Sequence, residues 1–209
     1  MKKLLCSALL FGLAAIPAFA QSSGSSGTAQ PPPMQGGQQM APPADPLATF
    51  VKGAFASVSN NLIHSAEDMP EENFSMKLGT TPEVRTYGSL LGHVINANFV
   101  YCSRAKGEAN PNAINYETTP QTKADLVKAM HAAMDYCGPA YDALTDATAM
   151  QMVSPPAGGR GGPSLRGQWL IQNVIHNNEE YGNIVGYFRT KNIVPPSTAL
   201  RGGGGRRGN

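Results

Sequence analysis

The sequence predicts an all-α protein organised as a four-helix bundle, and three observations carry that expectation. Four segments repeat apolar residues at three- and four-residue spacing, each bounded by a capping residue or a Pro/Gly break. No segment sustains the alternation of a half-buried strand. Of the 209 residues, about 150 remain once the low-complexity ends are set aside. That is enough for one hydrophobic core and four helices of about 20 residues.

Residues 1–20 (MKKLLCSALLFGLAAIPAFA) place two lysines before an apolar run that ends in Ala-Phe-Ala. This is the pattern of a secretory signal peptide, with cleavage expected after Ala20 and a periplasmic or secreted destination. Its apolar core of about 13 residues is too short to remain as an anchor. Cys6 lies before most of that core, so it is not the lipid-bearing first residue of a mature lipoprotein. Residues 21–46 are Gln, Ser, Gly and Pro with almost no large apolar side chain. Such a segment cannot bury enough surface to offset its ordering entropy and is expected to be a disordered spacer.

The bundle is expected over residues 47–198. Asp45 as cap and Pro46 at the first helical position open helix one. Its stripe runs through Leu47, Val51, Ala54, Val58, Leu62 and Met69, and Met69-Pro70 ends it. Helix two starts at Thr86 and reaches Lys106-Gly107, with Leu90, Leu91, Val94, Ile95 and Asn98 on or near one face. Thr122 to Asp125 forms a capping-box pattern for helix three, which buries Leu126, Met130, Met134, Cys137 and Leu144. Gly138-Pro139 is expected to kink or interrupt it. A Gly/Pro loop at 154–163 leads to helix four, from about Leu165 to Lys191, stopped by Asn192 and Pro195-Pro196. Residues 199–209 are expected to form a disordered Gly/Arg tail.

Charge narrows the function classes. The formal +2 comes from 16 basic and 14 acidic residues. Lys2 and Lys3 belong to the signal, and Arg201, Arg206 and Arg207 to the tail, so the folded part is slightly acidic. A nucleic-acid-binding body should carry a clustered positive face, so no nucleic-acid partner is expected. The Arg-Gly tail is similar to RNA-binding segments, but one short copy on an exported chain reads as a flexible tail. No mature stretch approaches the roughly 18 apolar residues of a membrane span. Two cysteines remain after cleavage, Cys102 and Cys137, and an exported even pair is a disulfide candidate worth about 3–4 kcal/mol. Two buried free thiols on neighbouring helices are the alternative.

The four histidines carry most of the functional signal. His93 lies midway along helix two. His176 lies midway along helix four with Glu180 four residues on, so an imidazole and a carboxylate share one face. His93 from the facing helix would complete a two-histidine, one-carboxylate set with open coordination positions, suited to Zn, Fe(II), Mn or Ni. Ordinary packed side chains at these positions fit the same spacing. His64 sits in a polar run and His131 follows core-facing Met130, so both are expected at the surface. Glu179 points about 100° away from the set. Asn173, three residues before His176, could orient a ligand; with Asn177, Asn178 and Asn183 it could equally form an exposed polar face.

The string from Ile175 through His176, Glu180, Tyr181, Gly182 and Asn183 resembles the final helix of DinB-like (DinB/YfiT) proteins. Tyr187 and Arg189 follow, and then the Ile193-Val-Pro-Pro-Ser197 ending. Glu67 to Phe74 and Pro82 to His93 resemble that family's first loop and second helix, and the similarity spans about residues 47–198. The resemblance implies a four-helix bundle that holds a divalent metal with three histidines, one on helix two and two on helix four. His93 and His176 match the first two positions. Glu180 stands where the third histidine would be, and a carboxylate is still a competent ligand.

Two function classes follow. The resemblance implies a metal-dependent enzyme, related to thiol-dependent transferases and isomerases; with the export signal, which favours a hydrolase, the expectation is an exported hydrolase or transferase acting on a small-molecule substrate, with Tyr181 and Arg189 as candidate substrate contacts. The alternative is a non-catalytic exported bundle that binds a small ligand, a metal or a partner protein. Bundles of this family also pair, so a homodimer is among the expectations.

Overall fold

The computed structural model describes residues 44–156 and 161–203. The signal-peptide reading, most of the spacer and residues 204–209 of the tail lie outside them. Four long helices form the body: α1 (Pro46–Asp68), α2 (Tyr87–Lys106), α3 (Lys123–Asp142) and, after the single turn α4 (Asp146–Ala149), α5 (Arg166–Thr190). A last helix, α6 (Pro196–Gly203), follows and extends into the segment that composition assigned to the tail. Helix α2 packs on α3 and α5, and α1 packs on the same two, so the long helices close a ring in the order α1–α3–α2–α5. The bundle expected from the sequence is present.

Local chemistry sets most boundaries as expected. Thr86 Oγ1 accepts the Ser89 N–H at 3.1 Å to start α2, and Gly107, with φ of 76°, ends it in the left-handed region that favours glycine. Thr122 and Asp125 form the capping box of α3. Helix α5 ends at Lys191, and Asn192 takes a φ of 57° before the Pro pair.

Three local expectations differ. Asp45 does not cap α1 with its side chain. Instead the Asp146 carboxylate of α4 accepts the Ala48 N–H at 2.7 Å, while Asp45 accepts the Asp146 N–H at 2.9 Å. The two ends cap one another across the fold, which no local pattern reports. Pro139 neither ends nor interrupts α3. It and Asp135, whose carbonyl loses a donor, both lie on the exposed side, where that carbonyl is open to solvent. A two-residue ladder, Met152–Val153 against Ser164–Leu165, closes the loop before α5. It is too short for alternation to register.

The core is continuous. Leu62, Met69, Tyr87, Leu91, Ile95, Met130, Leu170, Ile184 and Phe188 are fully buried. On α1 the buried stripe passes through Phe55, which stacks on Tyr141 with ring centroids 3.7 Å apart, whereas Leu47 is half exposed. Cys102 on α2 and Cys137 on α3 form a buried disulfide with Cα atoms 5.3 Å apart, which resolves the two alternatives in favour of the bond. Among the described residues no helix is long and apolar enough to cross a membrane.

Candidate metal centre

The site lies where α2 and α5 face each other. His93 comes from the middle of α2, while His176 and Glu180 come from successive turns of α5. Their ligand atoms all lie within 4.8 Å of one another. His93 Nε2 and His176 Nε2 are 3.0 Å apart, and Glu180 Oε1 is 3.6 Å from the first and 3.8 Å from the second. A triangle with those sides has a circumradius of about 2.0 Å, the length of a Zn–N or Zn–O bond. The residues therefore fit a divalent ion on both chemistry and spacing. Three protein ligands would leave further coordination positions of such an ion open.

The surroundings orient His93 and Glu180, whereas the buried Nδ1 of His176 has no hydrogen-bond partner among the described residues. His93 Nδ1 donates to Glu117 Oε2 at 2.8 Å, which leaves the Nε2 lone pair facing the other ligands. Arg85 Nε donates to the other Glu117 oxygen, also at 2.8 Å. Burial pushes the Glu117 carboxyl up, but the hydrogen bonds from Arg85 and His93 outweigh it and hold the group below the ordinary glutamate range. Burial pushes His176 down and nearby His93 adds to that, against the opposing pull of Glu180 and Glu179. The ring is thus held neutral, the form that binds a metal. Asn183 Nδ2 donates to Glu180 Oε2 at 3.0 Å, so the second carboxylate oxygen is held while Oε1 faces the histidines.

Glu117 reaches His93 because the loop between α2 and α3 lies directly on the helix. Gly92 makes that approach available, since a Cβ there would collide with the Tyr116 carbonyl and the Glu117 amide. Ser89 Oγ fastens the loop by donating to the Glu117 carbonyl at 2.8 Å. Next to Glu180 a pocket of about 240 Å³ opens between α5 and the residues before α2, with Arg85 and Asn183 in its wall.

Several expectations are settled by these contacts. His131 is exposed and meets Glu67 at 2.8 Å, while His64 is half exposed near Glu67 and Asp68. Glu179 is exposed. Asn173 does not orient a ligand: it is fully buried beside the disulfide and donates to Tyr141 Oη at 3.1 Å. Asn177, next to His176 on α5, is also buried and exchanges two amide hydrogen bonds with Asn98, at 2.9 and 3.0 Å. Asn178 and Asn183 are exposed. Tyr181 is buried and its hydroxyl accepts the Ser197 N–H at 2.8 Å, which docks α6 rather than facing the metal position. Arg189 is exposed near the end of α5. Sequence reasoning missed Glu117 and Arg85, both in irregular segments where no periodicity points to a face.

Comparison with known proteins agrees with the geometry. The family model of the DinB superfamily matches residues 54–182. A crystal structure of a DinB-like protein from Bacillus cereus superposes with a TM-score of 0.56 at 16% identity, covering 70% of this chain and 93% of that one. A conserved protein from Enterococcus faecalis gives 0.50 at 10% identity, covering 68% and 95%. At such identities the likeness is one of fold. No curated protein matches the sequence. With the family model matched over more than half its length, the chain belongs to the DinB superfamily.

Proposed function

We propose that this chain is an exported, divalent-metal-dependent enzyme of hydrolase or transferase type, with His93, His176 and Glu180 as its metal ligands. The observation that carries the reading is the convergence of three ligand atoms from α2 and α5 within 4.8 Å. A divalent ion there supplies a Lewis acid with open positions for substrate and water. The set suits Zn, Ni, Fe(II) or Mn. The protein contributes orientation: Glu117 fixes the His93 tautomer, and Asn183 turns Glu180 so that one oxygen faces the histidines. Export is supported by the hydrophobic N-terminal segment and by a disulfide of the kind that persists in oxidising compartments.

Metal analysis of the purified chain tests the reading. Wild type is expected to hold one divalent ion per chain, and His176→Ala and Glu180→Ala to hold far less while keeping their helical circular dichroism. A wild-type chain without stoichiometric metal would leave the non-catalytic bundle as the better account. Full metal retention in both variants would show that other residues bind it.

A further inference from the structure

The pocket beside Glu180 carries the marks of a particular class of ligand. Leu78, Val84, Leu90 and Tyr187 supply its apolar lining, and Arg85, Asn183 and Glu180 its polar lining. Leu78 closes over the space because α5 carries Gly186 beneath it. A Cβ at that position would come within 3.0 Å of Leu78 Cδ1.

Arg85 is a prepared cation. Tyr187 Oη donates to its carbonyl at 2.6 Å, and its Nε is committed to Glu117. Those two contacts fix the backbone and one edge of the guanidinium. Among the described residues its Nη1 group makes no hydrogen bond, and the side chain keeps 37% of its surface exposed. The local charge balance has the same sign. Glu180 offsets half the charge of a divalent ion, and Glu117 and Arg85 offset each other, so these groups leave net positive charge, with the carboxylate of exposed Glu179 screened by solvent. An anionic headgroup compensates it and gains a charge-assisted hydrogen bond from Arg85. An ammonium group would be repelled.

We infer that this pocket takes a small carboxylate with a short hydrocarbon tail, the headgroup held between Arg85 and the metal position and the tail against Leu78, Val84 and Leu90. The inference rests on the metal reading above and names the ligand class of that same site. The volume suits a handful of carbons rather than a long acyl chain.

The test loads the full chain with Co(II) and titrates it with hexanoate, reading affinity by calorimetry and metal contact by the visible absorption of the cobalt. Hexanoate is expected to bind at least about tenfold more tightly than hexanol and to change the cobalt spectrum. Compared at cobalt concentrations that saturate both proteins, Arg85→Gln should lose about tenfold in hexanoate affinity, with Arg85→Lys restoring part of it. Leu78→Phe leaves every charge in place and narrows the apolar end, so it should weaken hexanoate and spare acetate. Equal hexanoate affinity in wild type and Arg85→Gln, or hexanol binding as tightly as hexanoate, would overturn the proposal. Arg85-dependent binding with an unchanged cobalt spectrum would refute the placement of the headgroup at the metal. Failure of the wild type to take up cobalt sinks the metal reading and, with it, the positive charge this inference needs, whereas cobalt uptake without Arg85-dependent hexanoate binding overturns the pocket alone.

Discussion

Glu117 accepts the Nδ1 proton of His93 at 2.8 Å and is itself held by Arg85, so the tautomer that frees Nε2 for a metal is built in before any ion arrives. Removing that carboxylate leaves the ligand in place but unoriented. Glu117→Ala is therefore expected to weaken divalent-metal affinity by about 10- to 100-fold, measured by competition with a chelating dye. Glu179→Ala, which removes an exposed carboxylate one position from Glu180, should leave the affinity within error of wild type. The contrast shows what was legible in the sequence. His93, His176 and Glu180 were readable because helix periodicity converts spacing into a shared face. Glu117 and Arg85 were not, because chain between helices has no period from which a direction can be inferred. Asn173 and Asn177 fall between these cases. They lie on the stripe that buries Leu170, Ile184 and Phe188, so their helical phase already pointed inward; their polarity alone suggested an exposed face.

The long helices announced themselves through their caps and apolar stripes. Features that depend on two distant segments did not. The exchange of caps between Asp45 and Asp146 joins residues 101 apart, and the accommodation of Pro139 within α3 depends on which side of that helix faces water. The disulfide was readable only as a compartment argument, and its position shows what it does for the elements it joins. It ties α2 to α3 across a closed loop with a sequence separation of 35, in the buried layer beneath the metal ligands. Closing a loop of that length restricts the unfolded chain more than the folded one. Replacing both cysteines by alanine should lower the unfolding free energy by about 2–5 kcal/mol, read from guanidinium unfolding of both proteins under non-reducing conditions. Because the bond is fully buried, the native protein should resist mild reductant and yield its thiols only once unfolding begins. Rapid reduction of the folded chain would contradict the burial.

Helix α2 is thus joined to α3 by the disulfide and, on the proposed metal reading, to α5 through His93, His176 and Glu180. The two fastenings act on stability in different ways. The disulfide is covalent and constrains the unfolded ensemble. The metal ligands lie 83 residues apart in sequence, so an unfolded chain does not hold them together, and a bound ion stabilises the native state by mass action. At a free-ion concentration one hundred times the dissociation constant, that linkage is worth about 2.7 kcal/mol. For a domain of this size it should raise the melting temperature by about 5–10 °C, and a chelator should abolish the gain. His93 and Cys102 are separated by nine positions on α2, roughly 13 Å along its axis. Sites that far apart usually contribute nearly independently, and among the described residues the hydrogen-bonded contacts between them run only through Asn98, Asn173 and Asn177. The metal-induced gain in unfolding free energy should therefore be the same, within about 0.5 kcal/mol, in wild type and in the variant lacking both cysteines. A gain that disappears with the disulfide would mean that α2 cannot present His93 to α5 unless α3 holds it from the other side. The two fastenings would then act as one cooperative unit rather than two.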